Sequence, residues 1–396
     1  MFSNPKFRTL YFSEQPSSNG RIRTHEDTED FRSHRLFNEF SGAVRIQIFS
    51  DDLEVVNPCG SKTTNHQQAM FCFTIINLPP CSLSQLPHIH PFAIYKTLDV
   101  VEDNFVFVIR EFMFELHELE SKNGMLLDVA DLADFRIRET LVSVCADTKG
   151  AHEIGGFMSP SAKKLCCLCL IERPEINFKS RIDKLVLRDR NNYDEAVVAS
   201  NSDVNEIPKT GVKFSSLLNE SKFFHFAENL ILDCMHDLLE GVAPFSITNV
   251  NRAFATISPE FGIDAELLNS RINTFQFSFY DLGNKPSSKF SDEKIRQKEN
   301  YSTKQRAGQN FCLLNMYPLL IGDKVPEGNF YFAIILTLRH IMDIVFSPII
   351  TIEQTVILEM LVARYFEQFR FAFPDVQGIN KMHHMVHYAQ IIRSQM

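Results

Sequence analysis

Two aspartates follow the ends of two strand-like segments. Residues 43–50 alternate apolar and polar side chains, as a half-buried strand does, and Asp51 and Asp52 come next. A second run, residues 140–146, ends at Asp147. Carboxylates at the ends of neighbouring strands can share divalent cations, which activate a water and stabilise a leaving oxygen in phosphoryl transfer. An aspartate at a strand end is also a common turn former, so spacing alone leaves both interpretations open.

A second group of residues has the spacing of a zinc site. Cys166-x-x-Cys169 is typical of a knuckle whose two thiolates bind one Zn²⁺, and Asp233 and His236 share one face of a predicted helix. Together these four side chains predict a closed tetrahedral site. Cys234 is an alternative ligand, although its offset from His236 suits a helix poorly. The competing interpretation is that the cysteines are small buried hydrophobic residues.

Two further groups of residues share helical faces but are best explained by ordinary structural roles. His383 and His387 in KMHHMVHY are spaced i, i+4 and share a helical face with metal-binding potential, with His384 beside them. No HExxH is present, so packing or hydrogen-bonding histidines are favoured. Asp237 and Glu240 in HDLLEG also share a helical face, and we interpret them as surface acids. The sequence contains no GxGxxG, GxxxxGK[ST] or GxSxG, so nucleotide-binding enzymes and serine hydrolases receive no support.

The elements that must position these residues follow from periodicity. Residues 69–77 and the segment HPFAIYKTL predict second and third strands, and residues 103–121 have the apolar spacing of a helix. The predicted order is therefore strand, strand, strand, helix, strand. From about residue 216 the pattern is helical, and Thr351 with Gln354 forms a capping box that opens a helix reaching about residue 371.

The chain divides into four parts by composition and motif. Residues 160–190 are locally basic, with a net charge of +4, and residues 283–308 form a polar and basic stretch that we expect to be an exposed loop or linker. The four predicted parts are a loosely ordered lead-in, the first part of an α/β core, a zinc-knuckle region and a mainly helical insertion: 1–40, 41–165, 166–240 and 241–396.

Composition limits the class of protein. The chain has 396 residues, is 44% hydrophobic and carries a net charge of −9, which excludes wholesale disorder and a global basic field for nucleic acid. Nine cysteines form an odd number in a long chain, which favours reduced thiols and the cytoplasm or the nucleus. The amino terminus lacks the features of a secretory signal, and no apolar run has the length of a membrane span. We therefore expect a soluble protein with no membrane partner.

Several motifs in order resemble a known family. SDDLEVVNPCGSK, NLPP, CADTKGAHEIGGFMSPSAKKLCCLC, LDCMHDLLEGV and KMHHMVHY are similar to segments of the transposase-derived proteins of the CACTA (EnSpm-like) DNA transposons. The resemblance covers about residues 30 to 390. Its most specific parts are the aspartate followed by G-x(4)-GF and CxxC, and the block D-x-M-H-D-L-L-E-G.

The resemblance implies a fold and a chemistry. It implies an RNase H-like mixed sheet with a DDE catalytic core, in which Asp51, or Asp52 as the near alternative, is the first acid and Asp147 the second. It implies Mg²⁺ or Mn²⁺ at the acids, DNA at the transposon ends as the partner, and a possible homo-oligomer. The zinc motif of the family falls between the second and third acids, on Cys166, Cys169, Asp233 and His236.

This sequence differs from the family at the third acid of the catalytic set. In the relatives, a further helical segment with a glutamate follows the HHMVHY-like block, whereas this chain ends at Met396. We therefore expect a truncated and catalytically incomplete transposase-like protein, with Glu240 as the best substitute within the chain. The alternative is a non-catalytic, zinc-stabilised remnant or co-opted factor that binds DNA or protein. An unrelated metal-dependent hydrolase ranks third.

Overall fold

The computed structural model describes most of the chain as a mixed α/β protein. The described residues are 2–11, 20–54, 67–96, 106–129, 132–298 and 301–395. Part of the SDDLEVVNPCGSK motif, the start of the predicted helix at 103 and the end of HPFAIYKTL lie outside them. Within the described ranges, no helix combines the length and the apolar composition that crossing a bilayer requires.

One five-stranded sheet organises the first part of the protein. Its strands, in chain order, are β1 Val44–Glu54, β2 Gln67–Ile75, β3 His90–Lys96, β4 Glu139–Ala146 and β5 Leu230–Leu232. The spatial order is β3-β2-β1-β4-β5. β2 is antiparallel to both β1 and β3, whereas β1, β4 and β5 are mutually parallel. The carboxyl ends of β1, β4 and β5 therefore meet at one edge of the sheet.

Strands β1 to β4 match the four strands that periodicity predicts, while β5 was not anticipated. β1 places Ile46 and Ile48 in the core because period-two alternation puts them on one face. β4 is buried nearly throughout because both of its faces are covered, with Val144 in the core of the sheet and Val142 in a smaller apolar cluster with Leu36. β5 is only three residues long and lies in a region that the sequence pattern predicts to be helical. That prediction is wrong for these residues, since a three-residue run is too short to show a period.

Helices cover the sheet and build the rest of the molecule. The longer helices are α1 Pro5–Tyr11, α2 Val106–Leu119, α3 Thr148–Ile154, α4 Arg190–Ser202, α5 Ala243–Thr256, α6 Ala265–Thr274, α7 Ala307–Ile321, α8 Phe330–Val345, α9 Ile352–Ala372 and α10 Asn380–Ser394. A π-helical segment, Met235–Val242, runs directly into α5. Helices of four or five residues span Glu29–Ser33, Arg35–Glu39, Pro80–Leu83, Ile207–Thr210, Phe226–Asn229 and Asp292–Arg296. Two-residue strands pair Arg21–Ile22 with Ile350–Thr351 and Met125–Leu126 with Arg136–Ile137.

Two large apolar cores lie side by side. The first packs the sheet against α2, with Val108, Met113 and Leu116 contributing one face of that helix. The second joins α5, α7, α8, α9 and α10 through residues such as Leu313 and Tyr365, both fully buried. Burial of side chains of this size contributes about 1.5–3 kcal/mol each, so these cores hold the elements that carry the polar sites in place.

The amino-terminal segment is attached to both cores. α1 buries Phe7 and Tyr11 in the core of the sheet, and the Tyr11 hydroxyl donates a 2.8 Å hydrogen bond to the carbonyl of Gly42. The Arg21–Ile22 strand pairs with the residues that precede α9. The described residues of this segment are therefore packed short helices rather than the loosely ordered lead-in that the sequence predicts.

Candidate functional site

A hairpin-like loop after β4 carries the CxxC motif. The isolated bridges Lys164–Glu172 and Cys169–Leu187 close it, and both cysteines are fully buried. The backbone N–H of Leu168 donates to the Cys166 sulfur at 3.3 Å, and that of Ile171 donates to the Cys169 sulfur. Each thiol thus accepts an N–H from two residues further along, which orients both sulfur atoms toward one point.

Two histidines from the end of the chain complete this point. His383 and His387, one turn apart on α10, place their Nε2 atoms 3.2 Å from each other. The Cys169 sulfur lies 3.2 Å from Nε2 of His383, and the Cys166 sulfur lies 3.6 Å from Nε2 of His387. All four donor atoms fall within 4.8 Å of one another and all four residues are buried. A tetrahedral zinc ion with Zn–S of about 2.3 Å and Zn–N of about 2.0 Å spaces its ligands by roughly 3.3–3.8 Å, so the geometry fits a metal ion.

This arrangement corrects half of the predicted ligand set. Cys166 and Cys169 do come together, but Asp233 and His236 bind each other elsewhere, and His383 and His387 take the two remaining positions. The sequence favoured packing or hydrogen-bonding histidines, and His383 and His387 are indeed buried and in contact with the thiols and with each other, in positions that could also hold a metal ion. The i, i+4 spacing was the usable signal. The two histidines meet the two cysteines only through tertiary packing, across more than two hundred residues of sequence. The spacing of the residues within each motif does not reveal that contact.

The surroundings of the cluster act on its two thiols in opposite directions. Burial opposes ionisation of Cys166, but the Cys169 thiol and the two imidazoles hold the pKa of Cys166 well below its usual range. Burial and the neighbouring Cys166 raise the pKa of Cys169. Arg188, itself buried, donates from Nε to the Cys166 carbonyl. The flanking Lys163 and Lys164 both pair with Glu172, at 3.0 and 3.3 Å, so this part of the basic stretch is neutralised locally.

A second polar site lies at the shared carboxyl edge of the sheet. In the strand register, Ser50 of β1 pairs with Ala146 of β4, and Ala146 pairs with Leu232 of β5. The next residue in each case is an aspartate. Asp147 and Asp233 follow the ends of β4 and β5, whereas Asp51 lies within β1, because that strand continues to Glu54 rather than ending before Asp51 as the sequence predicts. Because the three strands are parallel and adjacent, the three aspartates stand side by side at one edge.

Electrostatics shows which aspartate of the first pair interacts with this row. Burial raises the pKa of Asp51, and the carboxylates of Asp147 and Asp233 raise it further, while His236 acts in the opposite direction. Burial likewise raises the pKa of Glu153 on α3, with Asp52 and Asp147 contributing to the rise. Asp51 therefore interacts electrostatically with both Asp147 and Asp233, whereas Asp52 contributes to the pKa of Glu153.

Asp147 also begins a helix. Its Oδ1 accepts the backbone N–H of Gly150 at 2.6 Å, which caps the amino terminus of α3. A side chain at this position satisfies a helix N–H that would otherwise lack a partner. One carboxylate oxygen of Asp147 is thus occupied by the helix cap.

Asp233 and His236 form a compact ion pair at the end of β5. Nδ1 of His236 lies 2.7 Å from Oδ2 of Asp233, whose other oxygen accepts the backbone N–H groups of Met235 and His236. The hydrogen bond to Asp233 raises the pKa of His236 to about 9, despite partial burial, and Asp51 and Glu240 add to the rise. Burial favours protonation of Asp233, but the bond with His236 outweighs it and lowers the pKa of Asp233.

Glu240, the predicted substitute for a third acid, lies beyond this pair. Its Oε2 is 3.8 Å from Nε2 of His236, and its side chain is 44% exposed. Asp233, which the sequence assigns to zinc, is instead the residue that the strand register places beside Asp51 and Asp147. The signal that could have found it is local: LIL-Asp233 repeats, in short form, the mainly apolar run followed by aspartate that marks β4.

A buried pair connects the two sites. Asp237, on the π-helical segment, accepts from Nδ1 of His384 at 2.9 Å and from the hydroxyl of Tyr388 at 3.4 Å. All three side chains are buried, which corrects the interpretation of Asp237 as a surface acid. Since His384 follows the candidate metal ligand His383 and Asp237 follows His236, this contact ties α10 to the sheet edge. π-Helical turns occur often at functional sites, because the extra residue redirects side chains.

No protein-family model matches this chain, and no curated protein gives a significant sequence match to it.

Proposed function

We propose that this protein has an RNase H-like core that cleaves DNA phosphodiester bonds with the help of divalent cations held by Asp51, Asp147 and Asp233. The sheet order β3-β2-β1-β4-β5, with β2 antiparallel and β1, β4 and β5 parallel, supports this proposal because the family resemblance implies such a core. The single observation that carries it is the register that aligns the three aspartates.

The residues of the edge suit phosphoryl transfer. Mg²⁺ or Mn²⁺ bound by these carboxylates supplies an activated water and stabilises the leaving oxygen. Asp233 takes the place of the third acid of the DDE set, ahead of Glu240. His236 is protonated at neutral pH, because its pKa is about 9, and its imidazolium neutralises part of the carboxylate charge. Its Nε2 side, directed toward Glu240, is then able to donate a hydrogen bond to a phosphate oxygen.

The Cys166–Cys169–His383–His387 cluster has a different role in this proposal. Two thiolates and two imidazoles are the donor set that zinc prefers, and full burial leaves no open position for a substrate. Zn²⁺ there fastens α10 to the loop after β4. The hydrogen bonds from Asn380 to the Leu165 carbonyl and from the Gly378 N–H to Asn177 reinforce the same junction.

One observation favours the non-catalytic alternative. Asp233 already accepts three hydrogen bonds and Asp147 caps a helix, so both carboxylates have structural duties that compete with a cation. In that case the protein is a zinc-stabilised binding factor descended from a transposase, with no cleavage activity.

Nicking of supercoiled plasmid by the zinc-loaded full chain, with Mn²⁺ or Mg²⁺ added, separates the two functions. Asp147→Asn removes a cation ligand but keeps the helix cap, because the asparagine Oδ1 still accepts from Gly150. We expect nicking to fall on the order of a thousandfold, a loss typical of removing transition-state charge stabilisation, with little change in melting temperature.

Matched variants identify the third acid. Asp233→Asn is expected to abolish nicking, whereas Glu240→Gln and Asp52→Asn retain most of it. If Glu240→Gln abolishes nicking and Asp233→Asn does not, the assignment of the third acid reverses. If the wild-type chain contains one zinc, binds no Mn²⁺ at the edge in calorimetry and does not nick, the binding-factor alternative is correct.

A further inference from the structure

The segment between α6 and α7 carries two aromatic rings in open solvent. Phe279 and Tyr280 are 83% and 90% exposed, among the highest exposures of any large apolar side chain in the described ranges. Their ring centroids are 5.7 Å apart and the planes are nearly perpendicular. The two rings form one exposed apolar patch, and such a patch beside polar residues is typical of an interaction site.

The turn that presents these rings does not depend on them. The Ser278 hydroxyl donates to the Asp281 carboxylate at 2.5 Å, and backbone bonds join Asp281 to Ser278 and Asn284 to Asp281. Phe275 packs against the helical core and anchors the start of the segment. The rings are therefore held out on an ordered support.

Three lysines in the polar stretch that follows the two rings have no carboxylate partner in the part of the chain that the structure describes. Nζ of Lys285 lies 5.5 Å from the ring of Phe277, and Lys289 and Lys304 line one small hollow of about 20 Å³ that also contains Ser291 and Thr303. Within the described residues, Lys285, Lys289 and Lys304 form no salt bridge, in contrast to Lys163, Lys164, Lys179 and Lys209, each of which pairs with a glutamate. Lys304 also has a left-handed backbone, with φ of 59°, a conformation that is costly for a side-chain-bearing residue and that clusters at binding sites.

The surface is connected to the sheet edge through α7. Gln309 donates to the Lys285 carbonyl at 3.0 Å, and Asn310 donates to the Leu239 carbonyl at 2.7 Å. Leu239 is adjacent to Glu240, which faces His236. Two hydrogen bonds on consecutive residues of one helix thus join the lysine segment to the candidate active site.

We propose that Phe279, Tyr280, Lys285, Lys289 and Lys304 form a binding surface for a single nucleic-acid strand, with unpaired bases stacked on the two rings and phosphates on the lysines. Aromatic rings beside unpaired cations are complementary to unstacked bases on a phosphate backbone, and base stacking is independent of sequence. The inference rests on the proposed function for the source of the strand, since cleavage of a duplex produces an unpaired end.

Fluorescence anisotropy with a labelled 16-nucleotide strand and its duplex tests this surface. The full zinc-loaded chain is measured in EDTA-free buffer without Mg²⁺ at several salt concentrations, so that no cleavage occurs. We expect Phe279→Ala with Tyr280→Ala to weaken single-strand binding tenfold or more, with the salt slope unchanged and duplex binding altered less than about twofold. The triple variant Lys285→Gln, Lys289→Gln, Lys304→Gln should reduce the salt slope by about 2, since each phosphate contact on a single strand contributes roughly 0.7.

Controls separate this inference from the proposed function. Phe107 and Phe114 are exposed aromatics on α2, far along the chain from this segment, and the double alanine variant there should bind as the wild type does. Asp147→Asn should keep full single-strand affinity. If the wild-type chain does not nick DNA but binds a single strand in a way that depends on Phe279 and Tyr280, the proposed function is wrong and the binding surface still stands. Single-strand affinity within twofold of wild type in the Phe279 and Tyr280 variant overturns the inference, and so does a change in oligomeric mass without a change in affinity.

Discussion

The cysteine–histidine cluster and the aspartate row differ in solvent access and in the chemistry of their donor atoms. The cluster has two sulfur and two nitrogen donors, all buried and at tetrahedral spacing. The row has only carboxylate oxygens, lies at an open edge of the sheet, and its members retain hydrogen bonds to the protein. Soft, enclosed donors suit a metal that stays and holds the fold, whereas hard, open donors suit a cation that exchanges and meets a substrate.

The two sites also differ in how they are built. The aspartates are aligned by strand register, so their positions follow from backbone hydrogen bonds alone. The cluster joins a loop near residue 166 to a helix near residue 385, and in the part of the chain that the structure describes no strand pairing links those two segments. We therefore expect a metal ion to stabilise the contact between these two segments. The aspartate row should keep its arrangement with or without a bound cation.

The largest effect is expected from removing a ligand of the cluster. Cys169→Ser should lose the bound zinc and destabilise the chain severely, because the free energy of structural zinc binding, about 10 kcal/mol or more, is free energy of folding. Elemental analysis of metal per chain and thermal unfolding measure both effects. Cys167→Ser is the matched control, since Cys167 is buried in the sheet core and outside the cluster. Unchanged zinc content in the Cys169 variant would falsify the assignment.

A related comparison tests the corrected ligand set. His383→Gln should lose zinc as Cys169→Ser does, whereas His236→Gln should keep one zinc per chain, because His236 binds Asp233 instead. The expected difference in melting temperature between the two variants is large. Loss of zinc from the His236 variant would restore the original pairing of the CxxC motif with Asp233 and His236.

An intermediate effect is expected at the contact between the sites. Asp237→Ala leaves His384 buried without its acceptor, and removing one partner of a buried ion pair costs about 3–5 kcal/mol. Asp237→Asn should cost less, because the amide oxygen still accepts from Nδ1. Urea unfolding of the three proteins gives the ranking. Equal stability of the alanine and asparagine variants would show that the charge, and not the hydrogen bond, holds this contact.

The smallest effect concerns the pH dependence of the open edge. The folded pKa of His236, about 9, exceeds the usual value of 6.5, so its contribution to stability is complete below about pH 6.5 and is lost as the pH rises through 9. Partial exposure reduces the contribution to roughly 1 kcal/mol. The difference in unfolding free energy between wild type and His236→Gln should therefore shrink between pH 6.5 and pH 10. A constant difference across that range would show that His236 does not gain its proton affinity from Asp233.

Particular residues show how much the sequence determined. Alternation placed β1 close to its observed position, because facing the core on one side imposes a period of two, and short apolar runs placed β2 and β4. The capping box at Thr351 begins α9 as the spacing predicts, with the Gln354 N–H donating to Thr351 Oγ1 at 3.2 Å. CxxC identified half of the candidate metal cluster, since a knuckle is a local structure. Asp147 was identified as a strand-end acid for the same reason, whereas Asp51 lies inside β1, which extends to Glu54.

The tertiary structure decided the partners. Which histidines meet the thiols depends on how α10 packs against the loop after β4, and nothing in the spacing of distant residues encodes that contact. Asp233 lies in the row of aspartates only because β5 pairs with β4. β5 has three residues and is too short for periodicity to detect. Local patterns specify which elements form and which residues lie at their ends, whereas long-range burial and strand pairing determine which of those ends meet.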